Sequence, residues 1–197
     1  MWLNQLSITG DTMKIGICGK MASGKTTIAE ALSHLEDYGF TIISMAGEVK
    51  RVGRELFGMT KKDRPLLQQI GMKMREIRPS VWIDCVVKEI SVHESECQAV
   101  FGTTDGMGVV VDDVRFINEA KAFKDAGFTL IRLHIEDDLQ IERLNATYGS
   151  DAEVHINNRH DASEMEMDEI DESLFDLVLS SANDDSLYEM VHKLLSK

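Results

Sequence analysis

Eight residues early in the chain, Gly19-Lys20-Met21-Ala22-Ser23-Gly24-Lys25-Thr26, satisfy G-x-x-x-x-G-K-[ST] at every fixed position. The residue types at that spacing carry one chemistry. Glycines let the backbone curl until its N–H groups face inward, which makes an anion nest, and a helix that starts there adds the positive end of its dipole. The Lys25 ammonium can then reach the β- and γ-phosphates of a nucleotide, and the Thr26 hydroxyl can coordinate Mg²⁺. Gly19, Ala22, Ser23, Gly24, Lys25, Thr26 and the adjoining Thr27 are the expected contacts to ATP. The competing reading, a purely structural glycine turn, fits the context less well. Lys14–Cys18 (KIGIC) precedes the motif as an apolar strand, and Lys25–Leu35 follows as a helix with Ile28, Ala31, Leu32 and Leu35 on one face. Lys20, at a variable loop position, reads as solvent-facing.

A second constellation lies at Val109–Val114 (VVVDDV), an apolar strand that ends in two carboxylates. Acids at the carboxyl end of a strand face the ligand crevice of an open α/β sheet. Asp112 or Asp113 can therefore hold the Mg²⁺ water shell or meet a phosphate acceptor, and the ordinary alternative is a capped strand end. Phosphoryl transfer also needs cations around the moving group, since negative charge must be stabilised and two phosphorylated substrates repel. Arg64, Arg75, Arg78, Arg115, Arg143 and Arg159 are the candidates, each of them an ordinary surface arginine unless its position says otherwise. Arg115 directly follows the aspartates, and Arg75 is on a helix that could cover an acceptor. Arg143 opens the polar stretch Asn145–His160, which reads as a mobile lid that excludes water from the reaction. His155 and His160 have no ligand cluster around them, Ser163 with Glu166 fits a capping box, and the methionines fit core filling.

The elements that must carry these residues alternate along the chain. After the phosphate-loop unit, Phe40–Met45 reads as a second strand and Glu48–Phe57 as a helix stopped by Gly58. Leu66, Leu67, Ile70, Met74 and Ile77 make a helical stripe that Pro79 ends, and Ser80–Ile90 is the next helix. Val109–Val114 is the third strand, Asn118–Asp125 a helix with Gly127 after it, and Thr129–Ile135 the fourth strand. Asp137–Leu144 is a short helix, Phe175–Leu179 the fifth strand and Leu187–Leu195 a closing helix. Strands alternating with helices predict a three-layer α/β/α sandwich around a five-stranded parallel sheet. Residues 1–12 read as an extension, and 13–197 as a single domain with a short lid near 144–162.

Composition narrows the function classes. A chain of 197 residues with 43% hydrophobic and 28% charged residues suits one soluble α/β domain. The formal net charge of −13 argues against a sequence-independent grip on nucleic acid. No apolar run reaches membrane-spanning length and no leader is evident, so the expectation is a cytoplasmic protein with no membrane partner. Cys18, Cys85 and Cys97 are odd in number and scattered, which suits reduced thiols. Asp161–Glu172 is dense in carboxylates and holds no base; such a run is ordinarily a solvated face.

With these residues in hand, the chain resembles the P-loop nucleoside monophosphate kinases, most closely the bacteriophage-type deoxynucleoside monophosphate kinases. The resemblance runs from Lys14 to about Leu195. Four stretches carry it: GKMASGKT, LLQQIGMKMREIRPSVWID (Leu66–Asp84), VVVDDVRFINEA (Val109–Ala120) and HDASEMEMDEIDESLFDLVLSS (His160–Ser181). It implies a P-loop NTPase fold and Mg²⁺-dependent transfer of the ATP γ-phosphate to a (deoxy)nucleoside 5′-monophosphate. By the same resemblance Arg75, Asp113 and Arg115, with Arg78 nearby, meet the acceptor monophosphate. Arg143 meets the transferring phosphate; from the residues themselves, Thr26 with Asp112 or Asp113 is expected to position Mg²⁺. A homodimer is compatible with the family, and nucleotides are the expected partners. Phosphomevalonate kinases and dephospho-coenzyme A kinases share the layout, so another small acceptor is the first alternative and a low-turnover nucleotide switch the second.

Overall fold

The computed structural model describes residues 12–35, 39–160 and 162–181. All but the last residue of the N-terminal extension, and the whole of the expected helix 187–195, lie outside them. The chain runs β1 (Met13–Gly19), α1 (Lys25–Ser33), β2 (Gly39–Ile43), α2 (Met45–Phe57), α3 (Arg64–Ile77), α4 (Val81–Phe101) and β3 (Met107–Val114). It continues through α5 (Ile117–Asp125), β4 (Thr129–His134), α6 (Asp137–Tyr148), α7 (Ala152–Asn157), α8 (Ala162–Glu169) and β5 (Leu177–Ser180). The strands form one five-stranded sheet in the order β2-β3-β1-β4-β5, with every pairing parallel.

The sheet is buried on both faces, which is why its strands read as continuous apolar runs rather than as alternating ones. Successive side chains of a strand point to opposite faces. Val109 and Val111 enter one core with Trp82, Val86 and Phe123, while Val110 enters the other with Ile15, Ile17, Ile28 and Leu32. β1 lies at the centre of the sheet, flanked by β3 and β4, so its C-terminal turn opens at the middle of the crevice where crossovers leave in opposite directions. Between β1 and β3 the register shifts: Gly16 pairs Val111, yet Cys18 pairs Val114. The extra residue on β3 falls at Asp112–Asp113 and re-aims those two side chains.

Several elements differ from the reading of the sequence. α4 continues beyond Ile90 to Phe101, ending at Gly102 with φ of 73°. Its buried residues all lie between Trp82 and Ile90, so its last three turns have no apolar stripe to reveal them. α6 runs to Tyr148, and the stretch expected as a polar lid is helical throughout: a 3₁₀ turn at Gly149–Asp151, α7, and a second turn at Asn158–His160. His155 there is buried and stacks on Tyr148 at 3.6 Å between ring centroids. β5 begins two residues late, because Asp176 is occupied outside the strand, accepting from the Leu130 amide and pairing with Lys124. No helix among the described residues is long and apolar enough to cross a membrane.

Candidate active site

The phosphate loop forms at the end of β1 because two of its glycines are sterically required. A Cβ on Gly19 would stand 2.5 Å from Ser23 Oγ and 3.0 Å from the Leu133 carbonyl. Gly24 caps α1 with φ of 94°, a left-handed conformation that costs other residues about 1–2 kcal/mol. Ala22 also has positive φ, 62°, so the loop stores strain at a non-glycine position. Three side chains from outside the loop hold it, two of them on α6. Ser181 Oγ donates to the Ser23 carbonyl at 2.7 Å, Gln140 Nε2 donates to the Met21 carbonyl at 2.9 Å, and Arg143 Nη1 donates to the Ala22 carbonyl at 3.2 Å. Arg143 Nη2 donates in turn to the Ser181 carbonyl at 2.7 Å, which places this arginine on the shoulder of the loop next to the end of β5.

Lys25 is buried, and its ammonium donates to the carbonyls of Gly19 at 2.6 Å and Lys20 at 2.8 Å. Burial pushes its pKa down, the Arg115 charge adds to that, and Asp113, Glu164 and Asp112 work against it. Thr26 and Thr27 are exposed on the first turn of α1. An ammonium held by neutral carbonyls is available to a stronger acceptor, because charge-assisted hydrogen bonds to phosphate are roughly twice as strong.

Across the crevice, the two aspartates divide their roles. Asp113 Oδ1 accepts from Arg115 Nε at 2.6 Å. Asp112 Oδ1 is buried with no hydrogen-bond partner among the described residues, and burial, followed by the Asp113 charge, raises its pKa. A buried unpaired carboxylate oxygen near the phosphate loop suits a divalent cation, and Asp112 with the Thr26 hydroxyl is the pair whose chemistry fits Mg²⁺. Arg115 would be lowered by its burial, but Asp113 and Glu164 outweigh that and leave it raised, a permanent cation.

Arg75, from α3, converges on the same place. Its Nη2 donates to Glu119 Oε1 at 2.8 Å and its guanidinium lies 4.3 Å from the Phe116 ring centroid. Glu119, 1% exposed, caps α5 from within: its Oε2 accepts from the amides of Arg115 at 3.0 Å and Phe116 at 3.1 Å. Burial raises the Glu119 pKa and the bonds from Arg115, Arg75 and Phe116 oppose it. Burial, then the Glu119 charge, pushes the neighbouring Cys18 thiol up to about 12, so it is no nucleophile.

The remaining candidates separate. Arg78 is exposed at the α3–α4 turn and pairs with Asp84, although that turn touches α5 where Asn118 donates to the Pro79 carbonyl at 3.2 Å. Arg159 buttresses Gln140 at 2.6 Å and pairs with Asp137. Two expectations are corrected. Lys20 does not simply face solvent: it pairs with Asp168 at 2.7 Å. The acidic run is not merely a solvated face, since Glu164 and Glu166 of α8 bond inward, to the Met21 amide at 2.8 Å and the Ile117 amide at 3.0 Å. Gln140, Glu119 and Glu164 were missed as parts of the site. For Glu119 a signal existed, an acid in the first turn of a helix right after an arginine; for Glu164 surrounding acids masked it.

Comparisons with known proteins agree with this geometry. The sequence profile of the AAA domain family matches residues 15–172, well over half of the chain. The chain belongs to that family. The matched span of this AAA domain runs from β1 to just beyond α8 and so contains the phosphate loop, both aspartates, Arg75, Arg115 and Arg143. Comparison with curated proteins gives no significant match. Among solved structures, a shikimate kinase from Acinetobacter baumannii in complex with shikimate matches with a TM-score of 0.54 at 16% identity, over 95% of each chain. A sugar kinase from Janibacter sp. gives 0.56 at 16% identity, over 94% of this chain and 95% of that one. A shikimate kinase from Aquifex aeolicus gives 0.53 at 19% identity, over 92% and 96%. At these identities the likeness is one of fold: the AAA domain here has the α/β P-loop architecture of small-molecule kinases.

Proposed function

We propose that the chain is a phosphotransferase of the cytoplasm that moves the γ-phosphate of ATP to a (deoxy)nucleoside 5′-monophosphate, giving the diphosphate. The observation that carries this reading is that Glu119 holds both the Arg75 guanidinium and the Arg115 amide, while Glu164 joins the Arg115 guanidinium to the Met21 amide of the Lys25 loop. A phosphate monoester is the acceptor group that two guanidinium ions recognise best. The loop amides and Lys25 bind the donor triphosphate and meet charge as it develops on the transferring group. Arg75 and Arg115 hold the acceptor phosphate, while Asp113 orients Arg115. Arg143, beside the loop, screens charge on the donor side. Asp112 and Thr26 would hold Mg²⁺, which neutralises phosphate charge when bound. No strong general base is needed, since a loose transition state asks little of the nucleophile.

A second reading has an observation of its own. Asp112 has a buried carboxylate oxygen with no hydrogen-bond partner among the described residues, able to accept from an acceptor hydroxyl that reaches it, and the fold is shared with kinases whose names specify shikimate and sugar. The test is ADP release with MgATP and a panel of acceptors: the deoxynucleoside and ribonucleoside monophosphates, phosphomevalonate, dephospho-coenzyme A, shikimate and simple sugars. At least one deoxynucleoside monophosphate is expected to turn over at about 1–10³ s⁻¹, with the others at background. A non-nucleotide that outpaces every nucleotide overturns the acceptor assignment and leaves phosphoryl transfer standing.

A further inference from the structure

The acidic helix α8 reaches into the site with one side chain that touches both of its halves. Glu164 is 3% exposed. Its Oε2 accepts the Met21 amide of the phosphate loop at 2.8 Å, and its Oε1 accepts Arg115 Nη1 at 3.3 Å. The helix that carries it is pinned at two further points, both C-terminal to that contact. Glu166 accepts the Ile117 amide at the start of α5, and Asp168 pairs with Lys20 of the loop at 2.7 Å and lies 3.8 Å from Arg132 of β4. A carboxylate so deeply buried is costly unless its oxygens are satisfied. Here both are, one by the donor-side loop and one by the acceptor-side arginine.

Resting on the phosphotransferase reading above, we propose that Glu164 is a positioning residue that sets the distance between the two substrates. It ties the Arg115 guanidinium to the rim of the phosphate loop, and Asp113 fixes the same guanidinium from its other edge at Nε. A guanidinium has five N–H donors. Two of Arg115's are spent on carboxylates, and the two on Nη2, with no partner among the described residues, remain for an anion. The orientation of those donors relative to Lys25 is therefore set by Glu164 and Asp113 together. In-line transfer tolerates little error: a shift of about 1 Å in a reacting group costs on the order of 10²-fold in rate. Glu164 acts on the reaction through Arg115 and the loop, without touching the transferred group itself.

The experiment compares Glu164→Ala and Glu164→Gln with the wild type, using MgATP and whichever deoxynucleoside monophosphate the panel turns over fastest. Glu169→Gln, an exposed charge on the same helix, controls for loss of helix acidity. Glu164→Ala is expected to lower kcat by about 10–10²-fold and to raise the acceptor KM, with the ATP KM shifted less than about threefold. Glu164→Gln keeps an oxygen for the Met21 amide but turns an NH2 toward Arg115, so it should fold and still lose kcat, by less than Glu164→Ala does, and Glu169→Gln should behave as wild type. Unchanged kcat and acceptor KM in Glu164→Ala overturns the proposal. So does an equal rise in both KM values together with a lowered melting temperature in both Glu164 variants, which is the mark of a merely structural role. If Glu164→Ala does not fold, Glu164→Gln decides: wild-type kinetics overturns the proposal, and a kcat loss with ATP KM intact supports it. Lys25→Ala is assayed alongside. If it too is fully active, the phosphate-loop reading has failed; if it is dead while the Glu164 variants are active, only the positioning role has.

Discussion

Arg75 Nη2 and Glu119 Oε1 meet at 2.8 Å across 44 positions of sequence, joining α3 to the first turn of α5. The same carboxylate accepts the amide of Arg115. One buried side chain thus places the cation of one helix and the backbone that carries the next cation. Arg75 Nη1 donates to the Gly71 carbonyl at 3.3 Å, so both Nη atoms of the guanidinium are held, while its buried Nε has no hydrogen-bond partner among the described residues.

Glu119→Ala is accordingly expected to cost stability and acceptor binding together. It frees two amides and strips the buried partner of Arg75, a loss of about 2–4 kcal/mol. For a chain of this length each kcal/mol lowers the melting temperature by roughly 2–4 °C. Glu119→Gln keeps acceptors for the amides and loses the charge, so its stability should recover more than its acceptor KM does. Thermal melts and steady-state kinetics on the two variants check this; equal recovery of both would show that Glu119 acts only as a helix cap.

Lys25→Ala should remove most turnover, because a cation aimed at developing phosphate charge is worth several kcal/mol, on the order of 10²–10³ in rate. The two carbonyls it now satisfies, Gly19 and Lys20, lie in a loop also held by Ser181, Gln140 and Arg143, so the fold should survive. Single-turnover ADP release from purified, folded protein is the measurement. Near-normal turnover would remove the basis for phosphoryl transfer at this loop.

Much of this site was legible because its chemistry is local. The loop from Gly19 to Thr26 needs eight consecutive residues, and the fold needs strands whose valines and isoleucines are contiguous. Asp113 and Arg115 are two residues apart, so their pairing is nearly a property of the turn. What stayed hidden is held by long-range contacts. Glu164 reaches Met21 across 143 positions, Gln140 reaches Met21 across 119, and Ser181 reaches Ser23 across 158. A carboxylate in an acidic run looks the same whether it faces water or an arginine. The helices at 91–101 and 152–157 were hidden for another reason: the first buries nothing past Ile90, and the second is too short for a periodic stripe.

Gly19→Ala tests the loop's packing independently of its charge. The added methyl would meet Ser23 Oγ at 2.5 Å and the Leu133 carbonyl at 3.0 Å, and the second is backbone of a central strand that cannot yield cheaply. The loop must then shift away from β4. ATP affinity is expected to fall by at least about tenfold, or 1.4 kcal/mol, with a lower melting temperature. Titration with a fluorescent ATP analogue reads the first and a thermal melt the second; unchanged affinity would mean that the loop has slack that these distances do not show.

Asp112→Asn separates stability from activity. Its carboxylate is half-buried, one oxygen has no hydrogen-bond partner among the described residues, and Asp113 repels it, partly offset by Lys25 and Lys50. Its folded-state pKa is raised, so the folded protein prefers the neutral form. The corresponding stability is present below the unfolded-state pKa and lost as pH rises through the folded one. At neutral pH the wild type therefore carries the cost of an ionised, poorly partnered carboxylate, which asparagine does not. The variant should melt higher than wild type at pH 7, and the gap should close as the pH is lowered toward 4. Activity should move the other way. With one carboxylate fewer for the cation, kcat should fall by on the order of 10²-fold and the Mg²⁺ concentration needed for half-maximal rate should rise. A variant that melts higher yet keeps full activity and an unchanged Mg²⁺ requirement would show that Asp112 is an unpaired strand-end acid with no part in holding the metal.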